Sequence, residues 1–193
     1  MKVVGITGGI ASGKSTVSSY LQNKYQAYIF DADKEAKLLL NSKLKSEKIY
    51  KAFPGLLDLS KTSIANEAFK NQKSQRKIND IIHPAISDLI LERINDKKKS
   101  HTLFVIDAAL IIESGVFKKH RESGSKLILI SADKDSRLQR ALERSNLSEQ
   151  TINDRMKLQM KDSEKIKHVD YVIENNSTKS ELYNLSLIHI SEP

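Results

Sequence analysis

The nine residues GGIASGKST at positions 8–16 constrain this chain more than any other stretch. Gly8, four residues, then Gly13-Lys14-Ser15 fit the pattern G-x-x-x-x-G-K-[ST]. The physical meaning of that spacing is a loop whose backbone N–H groups curl around a phosphate chain. Glycine permits positive φ and close approach of the backbone to a ligand, and a helix N-terminus then adds its dipole and free amides. The flanks match this requirement. Val3, Val4 and Ile6 form a short apolar strand before the loop, and Val17, Tyr20, Leu21 and the alkyl stem of Lys24 recur at helical spacing after it. Strand, loop and helix in this order predict a nucleotide site.

At 193 residues the chain is long enough for one domain with a substantial core. Five short apolar runs, 2–7, 27–31, 103–107, 126–131 and 171–174, read as buried parallel strands separated by helical patterns. The expected class is α/β, a three-layer phosphate-loop fold with a mostly parallel five-stranded sheet. The gap between the second and third runs is about seventy residues, far more than a crossover needs. It reads as helices over Lys34–Asn41, Leu44–Phe53, Ser63–Phe69, Gln75–Ile82 and, after Pro84, Ala85–Lys97, a helical insertion suited to a second substrate. After the fourth run, 135–165 reads as two charged helices with thin apolar stripes, a turn at Ser145-Asn146-Leu147 and Ser148 as N-cap. Weak apolar anchoring predicts a mobile lid; an ordinary surface pair of helices is the alternative.

The net charge of +8 fits an anionic ligand, nucleic acid or simple solubility. Few aromatics interleave the basic residues, which argues against a nucleic-acid binder, and no N-K-x-D motif supports a guanine-nucleotide switch. No run of ~18 apolar residues and no charged-then-apolar leader is present, so neither a membrane span nor a secretory signal is expected. The absence of cysteine excludes disulfides and fits a reducing, cytoplasmic setting.

Carboxylates and arginines supply the chemistry. Strand two ends in Asp31-Ala32-Asp33, at the carboxyl edge where ligands sit in such sheets. Asp33 either orients an acceptor hydroxyl or caps the helix that follows, and Asp31 has the same two options. Asp107, ending strand three, either joins Ser15 in a Mg²⁺ shell or merely terminates the strand. Arg140 and Arg144 share one helix face, a costly pairing unless an anion lies between them; salt bridges to Glu143 or Asp154 are the alternative. Arg137 and Arg155 lie in the same segment. His83, before Pro84, reads more simply as structural.

Together GITGGIASGKSTV, the DAD at 31–33, INDIIHPAI at 78–86, DAALIIESG at 107–115, RALER at 140–144, the Arg155–Gln159 spacing and DYVIENNS at 170–177 resemble the dephospho-CoA kinase family. The resemblance implies transfer of a phosphoryl group from ATP, with Mg²⁺, to the ribose 3′-hydroxyl of dephospho-CoA. Another phosphate-loop small-molecule or nucleoside monophosphate kinase is the alternative. By that resemblance Ala11, Ser12, Gly13, Lys14, Ser15 and Thr16 hold ATP, with Lys14 also catalytic. Asp33 is the proposed base facing the acceptor and His83 sits on the acceptor side. Arg140 and Arg144 are lid arginines. The chain divides into a nucleotide-binding core (1–34, 100–134 and 166–185), a coenzyme-binding insertion (35–99) and a lid (135–165). Three positions depart from the family pattern: Ala109 stands where proline is common, Lys61 where arginine is, and Arg137 where glutamine is. After Tyr183-Asn184-Leu185 the family continues a helix, whereas this chain reads SLIHISEP, so 186–193 is expected to be a non-native tail.

Overall fold

In the computed structural model, which describes residues 1–40, 43–56, 58, 60–68, 70–176 and 182–183 (backbone alone at 43–46, 61 and 65), the apolar runs pair as parallel strands. The expectations for the Lys61 side chain and for 186–193 lie outside the described residues. Among those described there are five strands: β1 (Lys2–Thr7), β2 (Tyr28–Asp31), β3 (Leu103–Asp107), β4 (Lys126–Ser131) and β5 (Tyr171–Glu174). Their order is β2-β3-β1-β4-β5, every neighbouring pair parallel. β3 shows why the sheet is a middle layer. Phe104 and Ile106 enter the core on one face, and Leu103 and Val105 enter the core on the other, as a period of two dictates.

Helix α1 (Lys14–Tyr25) covers one face through Val17 and Leu21, which pack with Val4, Ile6, Ile128 and Ile130. The opposite face is covered by the insertion: α2 (Ala32–Leu40), α3 (Lys43–Ala52), α4 (Lys61–Ala68) and α5 (Gln72–Lys97). The sequence predicts a break at Pro84, but α5 runs through it as one helix of 26 residues. Proline removes one helical hydrogen bond and crowds the preceding turn. Here Ile78, Ile82, Ile86 and Ile90 form a single stripe spanning Pro84, all buried in the same core, and that packing holds both halves in line. Helix α2 likewise starts two residues before the position expected of it.

Beyond the short α6 (Lys118–Glu122), α7 (Lys134–Arg144) and α8 (Glu149–Lys157) form the expected charged hairpin. The Ser148 side chain accepts from the Thr151 N–H, as its N-cap role requires. Arginines of α7 add hydrogen bonds to the core beside the hairpin's thin apolar contact (below). α9 (Asp162–Lys165) and a 3₁₀ turn at Ile166–His168 lead into β5. No helix among the described residues is long and apolar enough to cross a membrane.

Candidate functional site

β1 sits at the centre of the sheet, with its first crossover going to β2 on one side and β4 and β5 lying on the other. The crevice at such a switch point is where the loop at 8–13 emerges. Gly13 has φ 106° and is the N-cap of α1. A Cβ on it would collide with Asn175 Nδ2, so glycine is required both for conformation and for space. Gly8 is confined in the same way, its missing Cβ facing the Ile130 carbonyl and Ser12 Oγ. The Asn175 side chain donates to the Ser12 carbonyl at 2.8 Å, binding the loop to the end of β5.

Above the loop lies a cleft of about 360 Å³. Ala11, Ser12, Gly13, Lys14 and Ser15 line one side, and Asp31, Asp33, Asp107 and Arg144 complete it. Residues expected together from four separate stretches of sequence therefore meet around one volume. Gly8 and Thr16 lie outside this lining. Lys34, near the start of α2, and Lys37, in its last turn, join it, two cations that were not singled out from sequence. Their signal was present, since Asp33 and Lys37 are four apart on one helix.

The two aspartates of the DAD stretch separate cleanly. Asp31 Oδ1 accepts from the Lys34 N–H at 2.8 Å, which makes Asp31 the cap of α2. Asp33 is in the first helical turn and faces the cleft, so the capping alternative for it falls away. Asp107 is buried and accepts from the Ser18 hydroxyl at 2.7 Å. Burial pushes its carboxyl above the usual carboxylate range, with Lys14 and the Ser18 bond acting against that rise and Asp33 and Asp31 adding to it.

The donors expected for a cation here, the Ser15 hydroxyl and the Asp107 carboxylate, are oxygens, as are the Asp31 and Asp33 carboxylates in the same lining. Among the described residues no cluster of three or more His, Cys, Asp or Glu could hold a metal unaided. That donor set fits Mg²⁺, which retains water and takes most of its ligands from phosphates.

His83 lines a trench of about 570 Å³ between α5 and the end of α8, and it shares a smaller cavity with Asp33. Burial pushes its imidazole below the ordinary value, opposed by Asp80 and Glu113. Among the arginines of α7 and α8 only some reach the clefts. Arg144 lines the first cleft, and Arg144 and Arg155 line a third volume beside it. Arg140 instead donates through Nη2 to the Asn175 carbonyl at 3.0 Å, while its Nη1 is buried without a partner. Asp154, one of the salt-bridge partners considered for it, pairs with Lys157 at 3.0 Å.

Lys165 was missed altogether, because DSEKIK reads as a solvated charged segment. It is fully buried, donates to the Ala109 carbonyl at 2.7 Å and pairs with Glu113 at 3.4 Å. Burial lowers its pKa, and Glu113 opposes that shift. Thr7 Oγ1 also donates to the Ala109 carbonyl, at 3.2 Å, so two side chains hold the segment after β3 at this residue.

Residues 2–181 match the dephospho-CoA kinase family. A dephospho-CoA kinase of Fusobacterium nucleatum is 34% identical over 186 residues, covering 94% of this chain and 93% of that protein. One from Aquifex aeolicus is 35% identical over 193 residues, covering 95% and 93%. The solved structure of the Campylobacter jejuni dephospho-CoA kinase superposes with a TM-score of 0.65 at 28% identity, covering 100% of this chain and 97% of that one.

Proposed function

This chain belongs to the dephospho-CoA kinase family, and from that membership we propose that it transfers the γ-phosphoryl group of ATP to the ribose 3′-hydroxyl of dephospho-CoA. The observation that carries the reading is the convergence of Lys14, Asp33, Asp107 and Arg144 on the cleft above the phosphate loop. Phosphoryl transfer needs cations around the transferring group and a carboxylate beside the acceptor, and this cleft supplies both.

In the proposed reaction the loop amides cradle the phosphate chain and Lys14 neutralises its β- and γ-phosphates. The acceptor enters from the side of the insertion at 35–99, along the trench lined by His83. Asp33 orients its hydroxyl. The hydroxyl oxygen forms the new bond to the γ-phosphorus, the bond from that phosphorus to the β–γ bridging oxygen breaks, and ADP leaves. The acceptor proton passes to Asp33, late in a loose transition state, so alignment matters at least as much as basicity. Arg144 meets the charge on the transferring group. Arg140, with Nη1 buried and unpartnered, is a further donor for an anion at the edge of the loop. Ser15 and Asp107 would hold Mg²⁺, the latter through water. When bound, that ion neutralises phosphate charge as it develops.

The test is direct. Purified protein with ATP, Mg²⁺ and dephospho-CoA should yield coenzyme A by mass spectrometry, with far lower turnover of AMP and nucleosides. Turnover of a nucleoside monophosphate in preference to dephospho-CoA would replace this reading with the nucleotide-kinase alternative.

A further inference from the structure

The crown of the phosphate loop is a strained turn. The Ser12 N–H donates to the Gly9 carbonyl at 3.1 Å, closing four residues around Ile10 and Ala11. Ala11 has φ 56°, in the left-handed region, while Ile10 does not. Positive φ at the third residue alone is the type II pattern, which favours glycine there and penalises an alanine Cβ. Flipping the Ile10–Ala11 peptide would give a type I turn and remove that strain.

Two side chains from the lid region grip Ile10, and one of them opposes the flip. The Ile10 carbonyl, part of the flipping peptide, accepts from Arg137 Nε at 2.9 Å, whereas the Ile10 N–H, on the preceding peptide, donates to Gln159 Oε1 at 2.9 Å. The Arg137 guanidinium lies so close to Gly9 that any Cβ there would collide with it. Asp162 aims the guanidinium from behind at 3.6 Å, and is itself fixed by the Ser131 hydroxyl at 2.9 Å. A planar trans peptide points its carbonyl and its N–H in opposite directions. Holding the Ile10 carbonyl toward Arg137 therefore sends the Ala11 N–H away from it. Ala11 lines the clefts shared with Lys14 and Arg144; Arg137 lines neither.

We propose that Arg137 is a positioning residue for nucleotide binding: it locks the Ile10–Ala11 peptide so that the Ala11 amide is presented to a phosphate. The proposal rests on the nucleotide reading of the loop. It assigns Arg137 a role through the backbone, distinct from the direct charge that Arg144 places in the cleft.

The experiment is a double-mutant cycle read by calorimetry of ATP–Mg²⁺ binding, with KM values for both substrates. Arg137→Ala should weaken ATP binding about tenfold, the scale of one charge-assisted hydrogen bond, and raise the ATP KM while leaving that for dephospho-CoA unmoved. In the Ala11→Gly background the same substitution should cost clearly less, because glycine adopts the positive φ without being held. Arg137→Lys keeps the charge and the reach to Asp162 but lacks the Nε donor, so it should behave like alanine in a fully folded protein. It carries the test should Arg137→Ala fail to fold. Equal losses in both backgrounds would overturn the proposal, as would a parallel rise in both KM values. Wild-type protein that binds no ATP would instead overturn the nucleotide reading itself, and this proposal with it.

Discussion

Asp31 and Asp33 are two residues apart and do different work. Asp31 caps α2, so its carboxylate is committed to the Lys34 N–H at 2.8 Å. Asp33 makes no contribution to the cap, which sharpens its test. Asp33→Asn should lower kcat by about 10²–10⁴ while the melting temperature and ATP affinity hold, measured by turnover, thermal scans and calorimetry. A full-rate enzyme would remove Asp33 from the chemistry. Asp107 offers a pH test. Its folded pKa is raised, chiefly by burial, so between the unfolded value and the folded one the native state keeps a proton that the unfolded state has lost. That contribution is fully present below the unfolded pKa and disappears as pH rises through the folded pKa. Wild-type stability relative to Asp107→Asn should therefore be greater near about pH 4 than near about pH 7, in urea titrations. The chemistry of these carboxylates was legible from DAD and VID. Which aspartate caps was not, because it depends on the residue at which α2 begins.

Helix α5 shows packing overruling local preference. Pro84 reads in sequence as a stop, yet the stripe Ile78, Ile82, Ile86 and Ile90 spans it. If that stripe holds the two halves in line, Ile90→Ala, at a fully buried position, should cost about 2–5 kcal/mol by urea denaturation. A loss below about 1 kcal/mol would show that the helix continues through Pro84 for another reason. Helix α7 shows the converse limit. Its charged sequence suggested loose attachment, since apolar periodicity is the signal that sequence carries most clearly. Arg137 and Arg140 add hydrogen bonds from it to carbonyls of Ile10 and Asn175. Such bonds depend on partners 127 and 35 residues away, a distance over which no local pattern operates. Lys165 eluded the sequence for the same reason: its partners, Ala109 and Glu113, become visible only once the chain is folded.

On the scale of the whole molecule, the five strands were legible almost residue for residue, because buried parallel strands are short uninterrupted apolar runs. Their order was not, since periodicity says nothing about neighbours. That order makes the nucleotide site a property of the intact fold: the loop after β1 is completed by Asn175 at the far end of the sheet, bonded to Ser12. ATP–Mg²⁺ should then bind the native state alone, adding about 2.7 kcal/mol at a hundredfold excess over its Kd. A thermal scan should register that gain, and Lys14→Ala should abolish it. The central place of β1 has a separate consequence during synthesis. Both of its hydrogen-bonding edges are satisfied only by β3 and β4, which begin at Leu103 and Lys126. On a ribosome adding about 5–20 residues per second, VVGIT waits roughly 5–20 s for its first neighbour, longer still for its second. Through that interval an apolar strand with two open edges is exposed to every other nascent chain nearby. Stabilising the finished fold does nothing to shorten that exposure, whereas a chaperone that shields β1 until β3 and β4 emerge would cover it.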